Sequence, residues 1–254
     1  MLRRVTGTGS AADVWSGASY ERIAETFAPI HDRVVEALGI RPGDRVLDVA
    51  CGTGGVALRA ARAGAEVVGI DISADQLAKA RQAAAAAGLE IRFDEGDCQR
   101  LPYGDAEFDS VVSAFGAIFA PDHARVAAEL ARVCRAGGRL VLTAWPKDAW
   151  SETHARAGRQ FVEDADAREW FEPEHVRGLL GDTFELELET GPWRVEAGSA
   201  AELWELASTS MPPLRAWLAA VDEATRERAE RVYLDFLADG VLQREYRLVT
   251  GVRR

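Results

Sequence analysis

The sequence predicts an α/β fold: a doubly wound, mostly parallel sheet of seven strands, the last antiparallel, with a helical cap. Three observations predict it. From residue 46 to 145, short apolar runs alternate with stretches of helical spacing, the order expected of a parallel sheet covered on both faces. VLDVACGTGG (46–55) passes from a buried strand through a glycine turn directly into a helix. Beyond residue 183, FELELE (184–189) and a final strand over 241–252 break the alternation, with helices between them.

The elements follow in order. Residues 1–10 read as mobile. A helix over 20–38, broken near Pro29, carries Ile23, Phe27, Ile30, Val34, Val35 and Leu38 on one stripe. Val46, Leu47 and Val49 begin the sheet, and the helix after the glycine turn stops near Gly64. EVVGI (66–70) is a second strand. Ser73 and Gln76 make a capping box for an alanine-rich helix that Gly88 ends. Leu89, Ile91 and Phe93 alternate as a third strand, and 110–115 is the fourth. Pro121 and Asp122 open a helix to Ala136, with Arg125 and Glu129 spaced to pair. Gly137 and Gly138 turn the chain into a fifth strand, 139–145. Ser199 and Glu202 cap a helix over 200–209, and one long helix covers 213–238. The chain reads as a single domain, 1–254: an N-terminal lid (1–40), a ligand-binding core (41–145) and a C-terminal part (146–254) with a helical insertion at about 191–240.

Composition narrows the partners. The net charge of −11 and an isoelectric point near 5.0 weigh against nucleic acid. The longest apolar run, around 111–120, is interrupted by Ser113 and Gly116 and is too short to span a bilayer. Cys51, Cys98 and Cys134 are odd in number and lack metal-ligand spacing. They fit reduced thiols in the cytoplasm. Arg3 and Arg4 are followed by no apolar signal core, so an export reading fails. No acidic cluster suggests a metal.

The glycine turn alone is ambiguous. Gly52, Gly54 and Ala57 satisfy G-x-G-x-x-G/A, and Asp71 lies about 20 residues on, where a dinucleotide's ribose is held. Asp48 points elsewhere. A carboxylate beside the turn repels a pyrophosphate and favours a ligand carrying positive charge. S-adenosylmethionine (SAM), a phosphate-free adenosine joined to a sulfonium and an ammonium, is such a ligand.

The motifs RPGDRVLDVACGTGGVAL, VVGIDIS, GDCQRLPYGDAEFDSVVS and FAPDHARVAAELARVCRAGGRLVL occur in that order over residues 41–145. In these motifs the chain resembles class I SAM-dependent methyltransferases, particularly the small-molecule group related to the ubiquinone and menaquinone biosynthetic enzymes. WSGASYERIAETFAPI resembles that group's N-terminal lid. The resemblance implies a Rossmann-like fold, SAM as methyl donor and S-adenosylhomocysteine (SAH) as product. It implies that Asp48 anchors the methionine ammonium and that Ala50, Gly52, Thr53 and Gly54 let the backbone approach the methionine portion. Asp71 would hold the ribose hydroxyls, Ile72 and Gln76 would flank the nucleoside, and Asp97 with the Cys98 N–H would read the adenine. Family members usually carry alanine where Cys98 stands. Ser113 and Ala114 would pass beside the sulfonium, and Tyr20 would close from the lid.

The reaction implied is in-line displacement at the methyl group by an O, N or C nucleophile, in which alignment contributes roughly 7–11 kcal/mol. No catalytic residue is assigned. His154 is the one histidine in a segment expected to face the acceptor, and a packing role is the simpler reading of it. His123 and His175 read as surface positions, and His31 lies on the first helix. The fourth strand ends in SAFG and lacks the N/D-P-P-Y/F signature of methyltransferases acting on base or glutamine amines. A small organic acceptor or a short peptide fits better. Two alternatives stay open: a SAM- or SAH-binding protein without catalysis, and an NAD-dependent oxidoreductase.

Overall fold

Strand β1 (Arg45–Val49) is central because both of its faces are apolar. Val46 joins one buried cluster, while Leu47 and Val49 join the other on the opposite side of the sheet. The computed structural model describes Trp15, residues 20–158 and residues 167–254. The expectations for residues 1–10 and for 16–19 of the lid lie outside the described residues.

Seven strands form one sheet: β1, β2 (Glu66–Asp71), β3 (Arg92–Glu95), β4 (Phe108–Ala114), β5 (Cys134–Ala144), β6 (Phe184–Glu196) and β7 (Val241–Arg253), in the order β3-β2-β1-β4-β5-β7-β6. Strands β1 to β5 are parallel, and β7 runs antiparallel to both β5 and β6. The order reverses between β1 and β4, which places a crevice at their carboxyl ends.

Helix α1 (Tyr20–Glu25) and α2 (Ala28–Leu38) divide where expected, with Pro29 in the first turn of α2. Helices α3 (Gly55–Arg62), α4 (Ala74–Ala86) and α5 (His123–Val133) cover the parallel half. The C-terminal half adds α6 (Ala149–Arg156), α7 (Pro173–Leu180), α8 (Ala200–Ser210), α9 (Pro212–Ala220) and α10 (Glu223–Phe236). Among the described residues no helix is long and apolar enough to cross a membrane.

Several boundaries differ from the sequence reading. The third strand begins at Arg92, because Leu89 closes the preceding helix by donating its N–H to the Ala84 carbonyl. The helix expected to reach Ala136 stops at Val133, since Cys134 is already paired with Phe108. Glu129 does not meet Arg125. It holds the Leu101 N–H at 2.7 Å and Arg132 at 2.8 Å, whereas Arg125 reaches the Gln99 carbonyl. β6 continues to Glu196, so the cap helices begin only at Ala200. The single helix expected over 213–238 is two, because Asp222 caps a new start by accepting from Thr225 N–H at 2.8 Å. At Ser73 the hydroxyl accepts from Gln76 N–H, but the Gln76 amide reaches the Trp15 carbonyl instead of completing a box.

Candidate active site

The tips of β1, β2 and β4 and the segment after β3 surround a cavity of about 410 Å³. Eleven of the thirteen candidate ligand residues line it: Tyr20, Asp48, Ala50, Gly52, Thr53, Asp71, Ile72, Gln76, Asp97, Cys98 and Ala114. Gly54 and Ser113 do not. Gly54 is the left-handed N-cap of α3, and a Cβ there would lie 3.3 Å from the Ala80 Cβ and 3.4 Å from the Phe93 ring. The Ser113 hydroxyl turns away to accept from Ala117 N–H at 3.0 Å.

The carboxylates hold the turn as well as face the cavity. Asp48, at the end of β1, accepts from Ala57 N–H at 2.9 Å in the first turn of α3. Burial pushes its carboxyl up to about 8, against the pull of that N–H, and the neighbouring Asp71 adds to the rise. Asp71 accepts from Gly52 N–H and Ser73 N–H, both at 2.8 Å, and burial raises it too. Asp97 accepts from the Gln99 N–H and from its side-chain amide, at 2.8–3.1 Å. Burial lifts the Cys98 thiol to about 12, so it is a neutral wall. Ile72 is 38% exposed and presents an apolar face beside Asp71.

Backbone strain gathers at the same place. Ala50 (φ 55°) and Phe115 (φ 62°) are left-handed without being glycine, at the ends of β1 and β4. Gly116 lets these ends approach: a Cβ there would lie 2.5 Å from the Ala50 Cβ and 2.6 Å from its carbonyl oxygen. Tyr20 lies over the turn, its ring 3.7 Å from where a Gly52 Cβ would be. Burial, with Asp71 nearby, raises its phenol to about 12, so it stays neutral. Lys79–Glu21 at 2.7 Å ties α1 to α4, and Arg22 forms a two-pronged pair with Glu205 of α8.

The other end of the cavity is aromatic. Phe115 stacks on Trp145 with centroids 4.0 Å apart and planes at 5°, and Phe27 packs against both. Arg244 lies 4.4 Å above the Trp145 ring and pairs with Asp148 at 2.7 Å. Trp150 and His154 of α6 add to the wall, with the His154 Nδ1 on the Tyr233 hydroxyl of α10. Met211, Pro212 and Leu214 close the cavity from the α8–α9 junction. The sequence reading missed Phe115, Gly116, Trp145, Trp150 and Arg244 as lining residues. Six of the seven tryptophans follow residue 144, a signal that bears on Trp145 and Trp150 alone. His31 is buried, lowered to about 4 by desolvation, and packs on Gly55. His123 is not a surface residue: it is 7% exposed and its Nδ1 meets His175 Nε2 at 3.0 Å.

Residues 46–138 match a family model described as a methyltransferase domain. An uncharacterized protein of Mycobacterium tuberculosis is 34% identical over 256 residues, covering 95% of this chain and 93% of its own. The demethylmenaquinone methyltransferase of Deinococcus radiodurans is 49% identical over 116 residues, 45% of this chain and 48% of that protein. Among solved structures, geranyl diphosphate methyltransferase in complex with SAM superposes with a TM-score of 0.58 at 20% identity, covering 98% of this chain and 93% of that one. That likeness speaks for the fold, a Rossmann-like methyltransferase sheet. Residues 46–138 thus form a methyltransferase domain with partial homology to the demethylmenaquinone methyltransferases, and over its whole length the chain belongs to one family with the Mycobacterium tuberculosis protein.

Proposed function

We propose that the protein binds SAM at the strand tips and transfers its methyl group to a small, flat, largely apolar organic acceptor in the aromatic end of the cavity. The observation that carries this reading is the continuity of one cavity from three acids, Asp48, Asp71 and Asp97, to the Phe115–Trp145 stack. The residues fit a cationic, phosphate-free nucleoside: a carboxyl buried without a counter-charge is stabilised by a cation, and a diphosphate among these acids is opposed. The same argument disfavours NAD.

SAM supplies an electrophilic methyl on a sulfonium leaving group. Asp48 compensates the ligand's positive charge, Asp71 accepts from the ribose, and Asp97 and Cys98 face the base. Phe115 and Trp145 hold the acceptor's plane so that its nucleophilic O, N or C lies in line with the bond that breaks. His154, oriented by Tyr233, takes the acceptor's proton, a contribution of about 10²–10⁴-fold where a proton is lost. The N-terminal segment and the helices α8 and α9 act as lid and cap over the core. Reduced Cys51, Cys98 and Cys134 suit a cytoplasmic setting.

Calorimetry with SAM, SAH and NAD, followed by label transfer from SAM to phenols, quinols, amines and short peptides, tests the reading. SAH binding with transfer to a planar acceptor is expected. SAH binding with no transfer to any acceptor favours a non-catalytic binding protein, and stabilisation by NAD alone overturns the proposal. His154→Ala should lower kcat and leave SAH affinity unchanged.

A further inference from the structure

We propose that His123, Glu169 and His175 form a binding site for one divalent transition-metal ion of the zinc type, set behind the wall of the cavity. The three residues come from separate pieces of chain. His123 opens α5, Glu169 lies in a 3₁₀ turn (Ala167–Phe171) and His175 is in the first turn of α7. One donor atom from each falls within 4.8 Å of the other two. His123 Nδ1 is 3.0 Å from His175 Nε2 and 3.8 Å from Glu169 Oε2, while the other nitrogen of His175, Nδ1, is 3.9 Å from the same oxygen.

The two separations from His123 Nδ1, 3.0 Å to His175 Nε2 and 3.8 Å to Glu169 Oε2, bracket what a tetrahedral ion requires. With metal–donor bonds of about 2.0–2.1 Å, neighbouring donors stand roughly 3.3 Å apart, so small rotations of the two rings and the carboxylate bring all three onto one centre. For both lone pairs to face the ion, the imidazole that now donates across the 3.0 Å contact must carry its proton on its remote nitrogen, which for His123 is the buried Nε2. Trp170 packs on both rings, with centroids at 5.4 Å from His123 and 6.0 Å from His175, and limits where they can turn. Two imidazoles with one carboxylate select borderline transition ions over magnesium or calcium, which prefer all-oxygen shells, and leave a further position open.

The position gives such an ion a task. Ala120 and Pro121, just before His123, line the cavity, as do Ala167 and Arg168, just before Glu169. An ion shared by His123 and Glu169 pins these two edges of the cavity wall together. The proposal rests on this geometry and is independent of what the cavity binds.

The test uses the tag-free full chain, stripped with chelator and titrated with Zn²⁺ or Co²⁺ alone. One equivalent should bind by calorimetry, with a visible absorption band in the Co²⁺ form. His175→Ala and Glu169→Gln should each weaken binding by about 100-fold or more, the upper end of what loss of a mere outer hydrogen-bonding partner costs. Both variants should keep the far-UV circular dichroism of the parent. X-ray absorption of the wild-type zinc form needs no variant and should report imidazole neighbours. A wild-type chain that takes up no zinc, a zinc shell made of oxygen alone, or affinity undiminished in both variants would each overturn the site.

Discussion

Asp48 and Asp71 grip one glycine turn from two neighbouring strands: Asp48 accepts from Ala57 N–H at 2.9 Å beyond the turn, and Asp71 from Gly52 N–H at 2.8 Å within it. The turn is therefore shaped by the same carboxylates that face the cavity. Stability and binding are coupled at these two residues.

For Asp48 the coupling has a sign. Its carboxyl is raised by burial from 3.8 to about 8, so its contribution to stability is present below pH 4 and is lost as pH rises through 8. Asp48→Asn keeps an acceptor for Ala57 N–H without the charge. The unliganded variant should melt above wild type at pH 9, with the gap closing towards pH 4, as scanning calorimetry across pH will record. A cationic ligand reverses the preference. SAM affinity should rise by up to ~10-fold per pH unit below about 8, and binding at pH 7 should release a proton. Titrations in buffers of different ionisation enthalpy check this, and Asp48→Asn should show neither effect.

Asp71→Ala removes the acceptor for two backbone N–H groups, Gly52 and Ser73, as well as any bond to a ribose. Bonds to a charged acceptor are worth about 1.5–3 kcal/mol each, so SAH affinity should fall by at least about 10- to 100-fold. The melting temperature should fall too. Asp71→Asn should recover part of the melting loss while SAH binding stays weak. Equal recovery of both would assign Asp71 to the turn alone.

Gly116→Ala places a methyl group 2.5 Å from the Ala50 Cβ. The contact is with backbone as well as side chain, so β1 and β4 must part at their ends. A loss of about 1–3 kcal/mol by denaturant unfolding is expected, with weakened SAH binding.

Trp145→Leu removes the stack on Phe115 and the ring beneath Arg244. Stacking of this kind is worth about 0.5–1.5 kcal/mol beyond burial. The acceptor's KM should rise by up to about 10-fold in steady-state assays, while SAH affinity measured by calorimetry stays at the wild-type value. A change confined to SAH affinity would move the aromatic end out of the acceptor site.

The sequence alone determined the alternation of strands and helices, the glycine turn and the acids at the strand tips. Those features are local: period, turn chemistry and caps act over a few residues, and β1, α3 and β2 fell close to where their residues placed them. The start of α10 is local too, since Asp222 caps it through the Thr225 N–H three residues on. The rest needed three dimensions. Cys134 ends its helix because Phe108 pairs with it, and Glu129 chooses Leu101 and Arg132 over Arg125. His123 is buried because α7 and the turn at 167–171 fold against α5, a contact between residues some 50 positions apart. Trp145, Trp150 and Arg244 share a cavity only because β7 returns antiparallel beside β5. Which side chains meet across such separations is decided by packing and chain pairing, which no periodicity in the chain encodes.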